Sequence, residues 1–134
     1  YRIGYRHVRG PVREWFVAAH LKLQPGDSGQ LQARIRQLLE QRSSSQPTQL
    51  PNAGSVFRNP EGDYAARLIE SAGLKGRCIG GACISEKHAN FIVNAGDARA
   101  KDIESLIDFV QQEVERQHAI RLQREVHIIG GEEI

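Results

Sequence analysis

The chain of 134 residues is long enough for one domain with a sizeable hydrophobic core. Its net charge of +2, with Lys and Arg scattered along the chain, argues against a nucleic-acid partner. No apolar run approaches the roughly 20 residues of a membrane-spanning helix, so the sequence predicts no membrane partner.

The first third of the chain contains one predicted strand and one predicted helix. The apolar, β-prone run over residues 15–21 predicts a strand, which a turn at Pro25 ends. Apolar residues then recur at helical spacing over residues 28–42, with Asp27 or Ser28 as the N-cap. A polar segment with two prolines follows and predicts a loop or linker.

The remainder mixes short helices and strands without a regular βαβ rhythm. The pattern predicts a helix over 64–72 that ends at Gly73, a strand over 91–93, a long helix over 102–118 and a last strand over 126–129. We expect the apolar stripe of the long helix to be core. The fold class is therefore α+β, as a two-layer α/β sandwich of short strands and helices.

The two cysteines, Cys78 and Cys83, lie in a glycine-rich segment. A disulfide there would close a very small loop, and a metal would need two further ligands that are not nearby. The sequence therefore predicts reduced, partly buried thiols, which favours a cytoplasmic protein.

The motif Gly-Ser-Val-Phe-Arg-Asn-Pro over residues 54–60 is the richest in chemistry. Gly54 permits turn geometry and the close approach of a ligand. The Ser55 hydroxyl can give or take a proton, and the Arg58 guanidinium can bind an anion in fork geometry. The residues alone leave three interpretations open: a site that binds and protonates a phosphorylated substrate, a phosphate-binding regulatory domain, or an ordinary turn beside a strand.

Several motifs together resemble the UDP-N-acetylenolpyruvoylglucosamine reductase (UDP-N-acetylmuramate dehydrogenase) family, and they stand in that family's order. Residues 4–6 and 15–21 resemble the end of its flavin-binding domain. The short path from Pro60 to Gly73 resembles its compact class, which lacks an inserted substrate loop. The motifs that resemble its C-terminal domain are residues 46–47, 51–60, 68–76, 87–94 and 122–130.

This resemblance implies a division of the chain into three parts. Residues 1–25 are the end of an FAD-binding domain, residues 26–45 are a helix and linker, and residues 46–134 are a substrate-binding domain. Most of the FAD-binding domain is then absent from this chain, which we interpret as a fragment. Val8 stands where the family usually has a serine, which departs from the pattern near the flavin.

The activity implied is the reduction of UDP-N-acetylglucosamine enolpyruvate to UDP-N-acetylmuramate in peptidoglycan precursor synthesis. NADPH is the implied hydride donor, and FAD is the implied cofactor, bound mainly by the absent upstream domain. The expected partners are the UDP-sugar substrate and a flavin-domain segment or chain. The alternative is a non-catalytic UDP-sugar-binding or subunit-interaction module that lacks the flavin domain.

Three residues match catalytic positions of the family. Ser55 matches the proton donor, although a serine in a turn can also simply bond the backbone. Arg6 matches the arginine that stabilises the enolate, although without the resemblance it would be an ordinary surface cation. Glu125 matches the C-terminal glutamate, which can hold the substrate's carboxyl region or orient Arg6, or else point to water from a strand edge.

Three further residues match substrate-binding positions. Asn59 can donate to and accept from the UDP-sugar, but it can equally cap its own turn before Pro60. Arg58 is the expected anion partner in the same segment. Gln46 falls where the family contacts nucleotide phosphates, and this is the weakest of the assignments.

Overall fold

The computed structural model of the protein describes residues 1–11 and 13–130. These residues divide into two compact units, of which the first is Tyr1–Arg36 and the second begins at Gln37. Among the described helices, none combines the length and the apolar character that crossing a bilayer requires.

The first unit contains a two-stranded hairpin that the sequence pattern did not indicate. Strands β1 (Arg2–Gly4) and β2 (His7–Arg9) pair antiparallel, with Gly4 opposite His7. The two residues between the strands form the turn, and Arg6 there has a φ of 57°. Few residues other than glycine adopt this left-handed conformation, so the tight turn imposes it on Arg6.

The strand predicted over residues 15–21 is wrong, because the described residues 14–27 form no regular secondary structure. Trp15 and Val17 in this run are 81% and 95% exposed. A strand satisfies its backbone hydrogen bonds by pairing with a neighbouring strand. Among the described strands, none pairs with this run, so its β-prone composition has no partner to act on.

Helix α1 (Ser28–Ser45) confirms the predicted helix and continues it into the predicted loop. Asp27 is the N-cap, since its carboxylate accepts a hydrogen bond from the Gln30 N–H at 2.7 Å. No described residue of α1 is buried. The exposed apolar stripe of α1 consists of Leu31, Ile35, Leu38 and Leu39.

The second unit is a four-stranded antiparallel sheet covered by two helices, which confirms the predicted α+β class. Its strands are β3 (Asn52–Ser55), β4 (Cys78–Ile79), β5 (Ala82–Ile84) and β6 (Phe91–Asn94). They lie in the order β3-β6-β5-β4. Strand β3 was not predicted, because its sequence carries turn residues rather than an alternating apolar pattern.

Two helices provide the other layer of the second unit. Helix α2 (Ala65–Ser71) confirms the short helix, and Gly73 beyond it has the expected positive φ of 72°. Helix α3 (Ala100–His118) confirms the long helix. Its apolar stripe is core as expected, with Leu106, Ile107, Val110 and Val114 all buried.

Cys78 and Cys83 form a disulfide across the β4–β5 hairpin, so the prediction of reduced thiols is wrong. The two residues are directly opposed in the antiparallel register, with Cα atoms 4.1 Å apart. The sequence argument considered only the length of the loop. Pairing of the strands brings the two side chains within bonding reach whatever that length. The argument from free thiols to a cytoplasmic location therefore does not hold.

The strand predicted over residues 126–129 is also wrong. The described pairing in this region is an isolated bridge between Phe57 and Arg124. The N–H groups of Glu125 and Val126 both point to the Val56 carbonyl oxygen, at 2.8 and 3.5 Å. In a regular antiparallel ladder, consecutive N–H groups do not share one carbonyl acceptor. The shared acceptor therefore interrupts the strand pairing, which does not continue along the chain.

Candidate functional site

The segment from Gly54 to Asn59 begins at the end of β3. Ser55 is the last residue of this strand, is partly buried, and lies opposite Phe91 of β6. Gly54 has a φ of 82°, and its N–H donates to the Asn52 side chain at 2.9 Å. A Cβ at position 54 would meet nothing within 4 Å. Glycine is therefore required here by the backbone conformation and not by a lack of space.

Residues 56–58 pair with the C-terminal segment, which brings the backbone of Glu125 next to the residue that follows Ser55. The Glu125 N–H donates to the Val56 carbonyl oxygen at 2.8 Å, and Val56 is the residue after Ser55. The Arg58 N–H donates to the Gln123 carbonyl oxygen at 2.9 Å. Two of the three predicted catalytic residues therefore lie on directly paired segments, although 70 positions separate them along the chain.

Contacts with α3 hold the C-terminal segment in place. The Gln111 side chain donates to the Leu122 carbonyl oxygen at 2.7 Å, and the Leu122 side chain is fully buried in the core. Arg124 forms an ion pair with Asp108, and its Nε donates to the Gln111 side chain at 3.2 Å. Glu125 thus follows a segment that is attached to α3 by both apolar packing and hydrogen bonds.

Arg58 offers an unsatisfied donor in this segment. Its Nε is buried and makes no hydrogen bond to any described residue. A buried donor without a partner costs roughly 1–3 kcal/mol, and more for a charged group. An anionic or carbonyl ligand that reached Arg58 would remove this cost, so the geometry suits the binding of such a group.

Asn59 contributes to the start of α2. Its Oδ1 accepts a hydrogen bond from the Ala65 N–H at 3.0 Å, where α2 begins. The capping interpretation of Asn59 therefore has structural support, although the bond is to the helix rather than to its own turn. Among the described residues, none accepts a hydrogen bond from its Nδ2, which is still able to donate to a ligand.

Gln46 and Arg6 lie outside the segment around Ser55. Gln46 directly follows α1, and its Oε1 accepts a hydrogen bond from the Arg42 Nε at 3.2 Å. It precedes β3, whereas Ser55 ends that strand. Arg6 belongs to the first unit, where its guanidinium carbon lies 5.8 Å from the centre of the Tyr5 ring. The second unit by itself thus contains Ser55, Arg58, Asn59 and Glu125.

The loop before β6 contains two polar residues beside this segment. Burial, with a smaller contribution from Lys75, lowers the pKa of His88 below its ordinary value of 6.5. The Asn90 N–H lies 3.3 Å from the His88 Nδ1, so the neutral imidazole carries its proton on Nε2. The Asn90 side chain is buried and bonds to Phe57. Sequence reasoning did not predict a role for Asn90. The only signal was a polar residue directly before a β-prone run, which is also typical of an ordinary turn.

The glycine pair at residues 80–81 does not form a cradle for a dinucleotide. Gly80 and Gly81 make the turn of the β4–β5 hairpin, and a Cβ at Gly80 would collide with the Asp102 carboxylate. A negative side chain at this position repels a pyrophosphate group. Among the described residues, no group of three or more His, Cys, Asp or Glu side chains is arranged for a metal.

An apolar groove of about 460 Å³ lies next to the site but does not contain its polar groups. It runs between the start of α3 and the C-terminal segment, with Ile103, Ile107 and Val126 among its lining residues. Ser55, Arg58 and Glu125 do not line it. Its lining also includes the polar residues Asn52, Glu104 and His127, and none of these was a predicted site residue.

Comparison with known proteins identifies the family that the chain resembles. The sequence profile of the C-terminal domain of UDP-N-acetylenolpyruvoylglucosamine reductase matches residues 46–129. The chain is 59% identical to the reductase of that name from Alkalilimnicola ehrlichii over 130 residues, and 57% identical to that from Methylococcus capsulatus. Each match covers 97% of this chain but only 44% and 43% of the relatives. The chain therefore spans less than half the length of these relatives.

A solved structure is similar as well. The crystal structure of UDP-N-acetylenolpyruvylglucosamine reductase from Thermus caldophilus superposes with a TM-score of 0.67 at 40% sequence identity. The match covers 79% of this chain and 37% of that protein.

Proposed function

The chain belongs to the UDP-N-acetylenolpyruvoylglucosamine reductase family, and on that premise we propose that it is the substrate-binding part of such an enzyme. The proposed reaction is the reduction of UDP-N-acetylglucosamine enolpyruvate to UDP-N-acetylmuramate. The single observation that carries the proposal is the pairing of the segment after Ser55 with the segment that contains Glu125. This backbone pairing lies inside the region that matches the family, and it supports the proposal that the Ser55 hydroxyl and the Glu125 carboxyl act at one site.

Ser55 is the proposed proton donor. When hydride adds to the methylene carbon of the enol ether, negative charge develops on the substrate's carboxylate as an enolate. The adjacent carbon then takes a proton, which the Ser55 hydroxyl supplies. A serine hydroxyl is a weak acid and needs nearby groups that stabilise the charge it leaves. Arg58, three residues further along the same segment, is suited to stabilise that charge. Glu125 is proposed to hold the substrate's carboxyl region or to orient Arg6.

Arg6 is the proposed stabiliser of the enolate. A guanidinium is permanently charged and can meet a carboxylate with two parallel hydrogen bonds. Its position in a tight hairpin turn supports this role, because a backbone constrained at a φ of 57° limits the directions that the side chain can take. That the Arg6 side chain lies next to the bound substrate is itself proposed.

Binding of the UDP-sugar is assigned to three further residues. The buried Nε of Arg58 makes no hydrogen bond to a described residue, which suits a phosphate or carboxylate oxygen. The Asn59 Nδ2 can donate to the sugar while its Oδ1 remains bonded to Ala65. Gln46 is retained as a nucleotide contact on the family resemblance alone.

The flavin is proposed to be bound mainly by the enzyme's upstream flavin-binding domain. The hairpin turn at Gly80 does not fit a dinucleotide phosphate, because a Cβ there would meet the Asp102 carboxylate. The exposed apolar residues of the first unit, such as Trp15 and Phe16, are suited to pack against another polypeptide. FAD as cofactor, NADPH as hydride donor and a flavin-domain partner are accordingly proposed for the whole enzyme. A cytoplasmic location is proposed on the family resemblance alone.

A non-catalytic module is the second candidate. The chain spans 44% of the length of its Alkalilimnicola ehrlichii relative. On this alternative the chain binds a UDP-sugar or another subunit without redox activity. Flavin absorbs visible light, so a purified chain that binds flavin is coloured. Titration of the colourless chain with UDP-N-acetylglucosamine then tests whether it binds a sugar nucleotide alone.

The decisive experiment replaces Ser55 by alanine in a full-length reductase that contains this chain. We expect NADPH to reduce the flavin at the normal rate, while reduction of the substrate slows by roughly 10²–10⁴-fold, as loss of a general acid predicts. The matched control is Ser71→Ala. Ser71 bonds the Leu68 carbonyl within α2 and the ring of His118, away from the segment around Ser55. Normal turnover by Ser55→Ala would refute the assignment.

A further inference from the structure

Asn90 is the buried polar residue with the most direct connection to the segment that follows Ser55. Asn90 is only 4% exposed. The side-chain amide donates to the Phe57 carbonyl oxygen at 2.8 Å and accepts from the Phe57 N–H at 3.0 Å. The backbone carbonyl of Asn90 also accepts from the Val56 N–H at 2.9 Å. Three hydrogen bonds therefore join one residue of the loop before β6 to two consecutive residues after Ser55.

The direction of these bonds explains why the amide is needed. In an extended segment, the N–H and carbonyl groups of one residue point to the same side and those of the next residue to the other. The Val56 carbonyl and the Arg58 N–H point to the C-terminal segment, where Glu125 and Gln123 pair with them. The N–H and carbonyl of Phe57 must then point the other way, towards Asn90. The amide thus takes the place of a neighbouring strand.

Water cannot replace this amide without a rearrangement. Phe57 is 2% exposed, so its backbone groups have little access to solvent. An unsatisfied buried N–H or carbonyl is strongly disfavoured. Loss of the Asn90 amide therefore forces residues 56–58 to shift until both groups find other partners. Because these residues also hold the backbone of Glu125, a shift moves Ser55, Arg58 and Glu125 relative to one another.

We propose that Asn90 is a positioning residue for the reaction: its amide fixes the backbone of Phe57 and thereby the geometry between Ser55 and Glu125. The inference rests on the proposed function, because it takes Ser55 and Glu125 as the reacting groups. Asn90 itself touches neither substrate nor cofactor in this scheme. A displacement of about 1 Å in reacting groups can slow catalysis on the order of 10²-fold, which sets the size of the expected effect.

The test compares Asn90→Leu with Asn94→Leu in the full-length reductase. The two asparagines flank opposite ends of β6, and each bonds backbone groups through its side chain. Asn94 accepts from the N–H groups of Gly96 and Ala98, away from Ser55. We expect Asn90→Leu to lower kcat for substrate reduction by roughly 10–100-fold, and to leave flavin reduction by NADPH unchanged. Asn94→Leu should keep kcat within about threefold of the parent, on the same reasoning.

Asn90→Asp supplies a test that a purely structural role would not meet. As a carboxylate, the introduced side chain would face the Phe57 carbonyl with no proton to donate, and burial would raise its pKa. Once protonated, it can donate to that carbonyl and restore both bonds. We therefore expect the kcat of Asn90→Asp, relative to the parent, to rise as the pH falls. Asn90→Leu should show no such recovery.

Amide hydrogen exchange at Phe57 separates the two proposals. Faster exchange in Asn90→Leu together with the fall in kcat supports the positioning role. Unchanged exchange, unchanged kcat, or an equal fall in kcat for Asn94→Leu overturns it. A fully active Ser55→Ala enzyme refutes the proposed function. In that case, faster exchange and a lower kcat in Asn90→Leu would still support Asn90 as a positioning residue. The group that it positions would then be a residue of the segment other than Ser55.

Discussion

Truncation of Leu122 to alanine should loosen the segment that carries Glu125. The Leu122 side chain is 1% exposed and packs in the core of the second unit. Two residues on, Arg124 pairs with Asp108, but both of these side chains are substantially exposed. Exposed ion pairs contribute little to stability. Leu122 is therefore the principal anchor of the C-terminal segment.

The size of the effect follows from burial. Replacement of a buried leucine by alanine costs about 2–5 kcal/mol, because transfer free energy is lost and a cavity remains. A domain of this kind is stable by on the order of 5–15 kcal/mol, so most of the population stays folded. With an m-value of ~1.5 kcal/mol per molar urea, a loss of ~3 kcal/mol lowers the unfolding midpoint by ~2 M.

The assay is urea unfolding of the chain, followed by far-UV circular dichroism, which reports on the helices, α3 among them. Tryptophan fluorescence is unsuitable, because the one tryptophan, Trp15, lies in the first unit. Leu38→Ala is the matched control, since Leu38 is 46% exposed in α1 and its truncation should cost less than about 1 kcal/mol. A Leu122→Ala midpoint equal to that of Leu38→Ala would refute the anchoring argument.

Two further predictions concern the disulfide and His88. Replacement of Cys78 and Cys83 by serine should lower the free energy of unfolding by about 2 kcal/mol, the chain-entropy value for so small a loop. A reductant should destabilise the parent chain by the same amount and leave the double variant unchanged. Equal stability of the parent chain and the double variant would contradict the prediction. Burial lowers the folded-state pKa of His88 below 6.5, so the unfolded state binds the proton more readily and stability should fall as the pH drops through about 6.5. His88→Gln should flatten this part of the pH profile of unfolding, and an unchanged profile would exclude His88 as its source.

The helices were the most predictable part of the fold. The apolar stripe of α3 contains enough periodic residues to define both the helix and its buried face, and the structure buries that stripe. The stripe of α1 predicted its helix equally well, yet all of it is exposed. A helix satisfies its own backbone hydrogen bonds, so a local pattern suffices to predict it. Whether its apolar face is covered depends on what lies next to it.

The strands were less predictable, because a strand depends on its neighbour. The run over 15–21 has the composition of a strand but no partner among the described strands, whereas β3 lacks that composition and still pairs with β6. The disulfide follows the same rule. Cys78 and Cys83 meet because the register of β4 and β5 makes them opposite residues. No count of the intervening residues reveals that register.

The candidate site shows the same difference between what is local in the sequence and what depends on distant segments. The chemistry of Ser55 and Arg58 could be recognised in the motif over residues 54–60, because hydroxyl and guanidinium groups carry their properties with them, whereas Glu125 was singled out only by the family resemblance. Their geometry could not, since it depends on hydrogen bonds between segments far apart in the chain. Asn90 is the clearest case: nothing local distinguishes it from a turn residue. Its role appears once residues 56–58 lie between it and the C-terminal segment, where an unpaired backbone must find a partner.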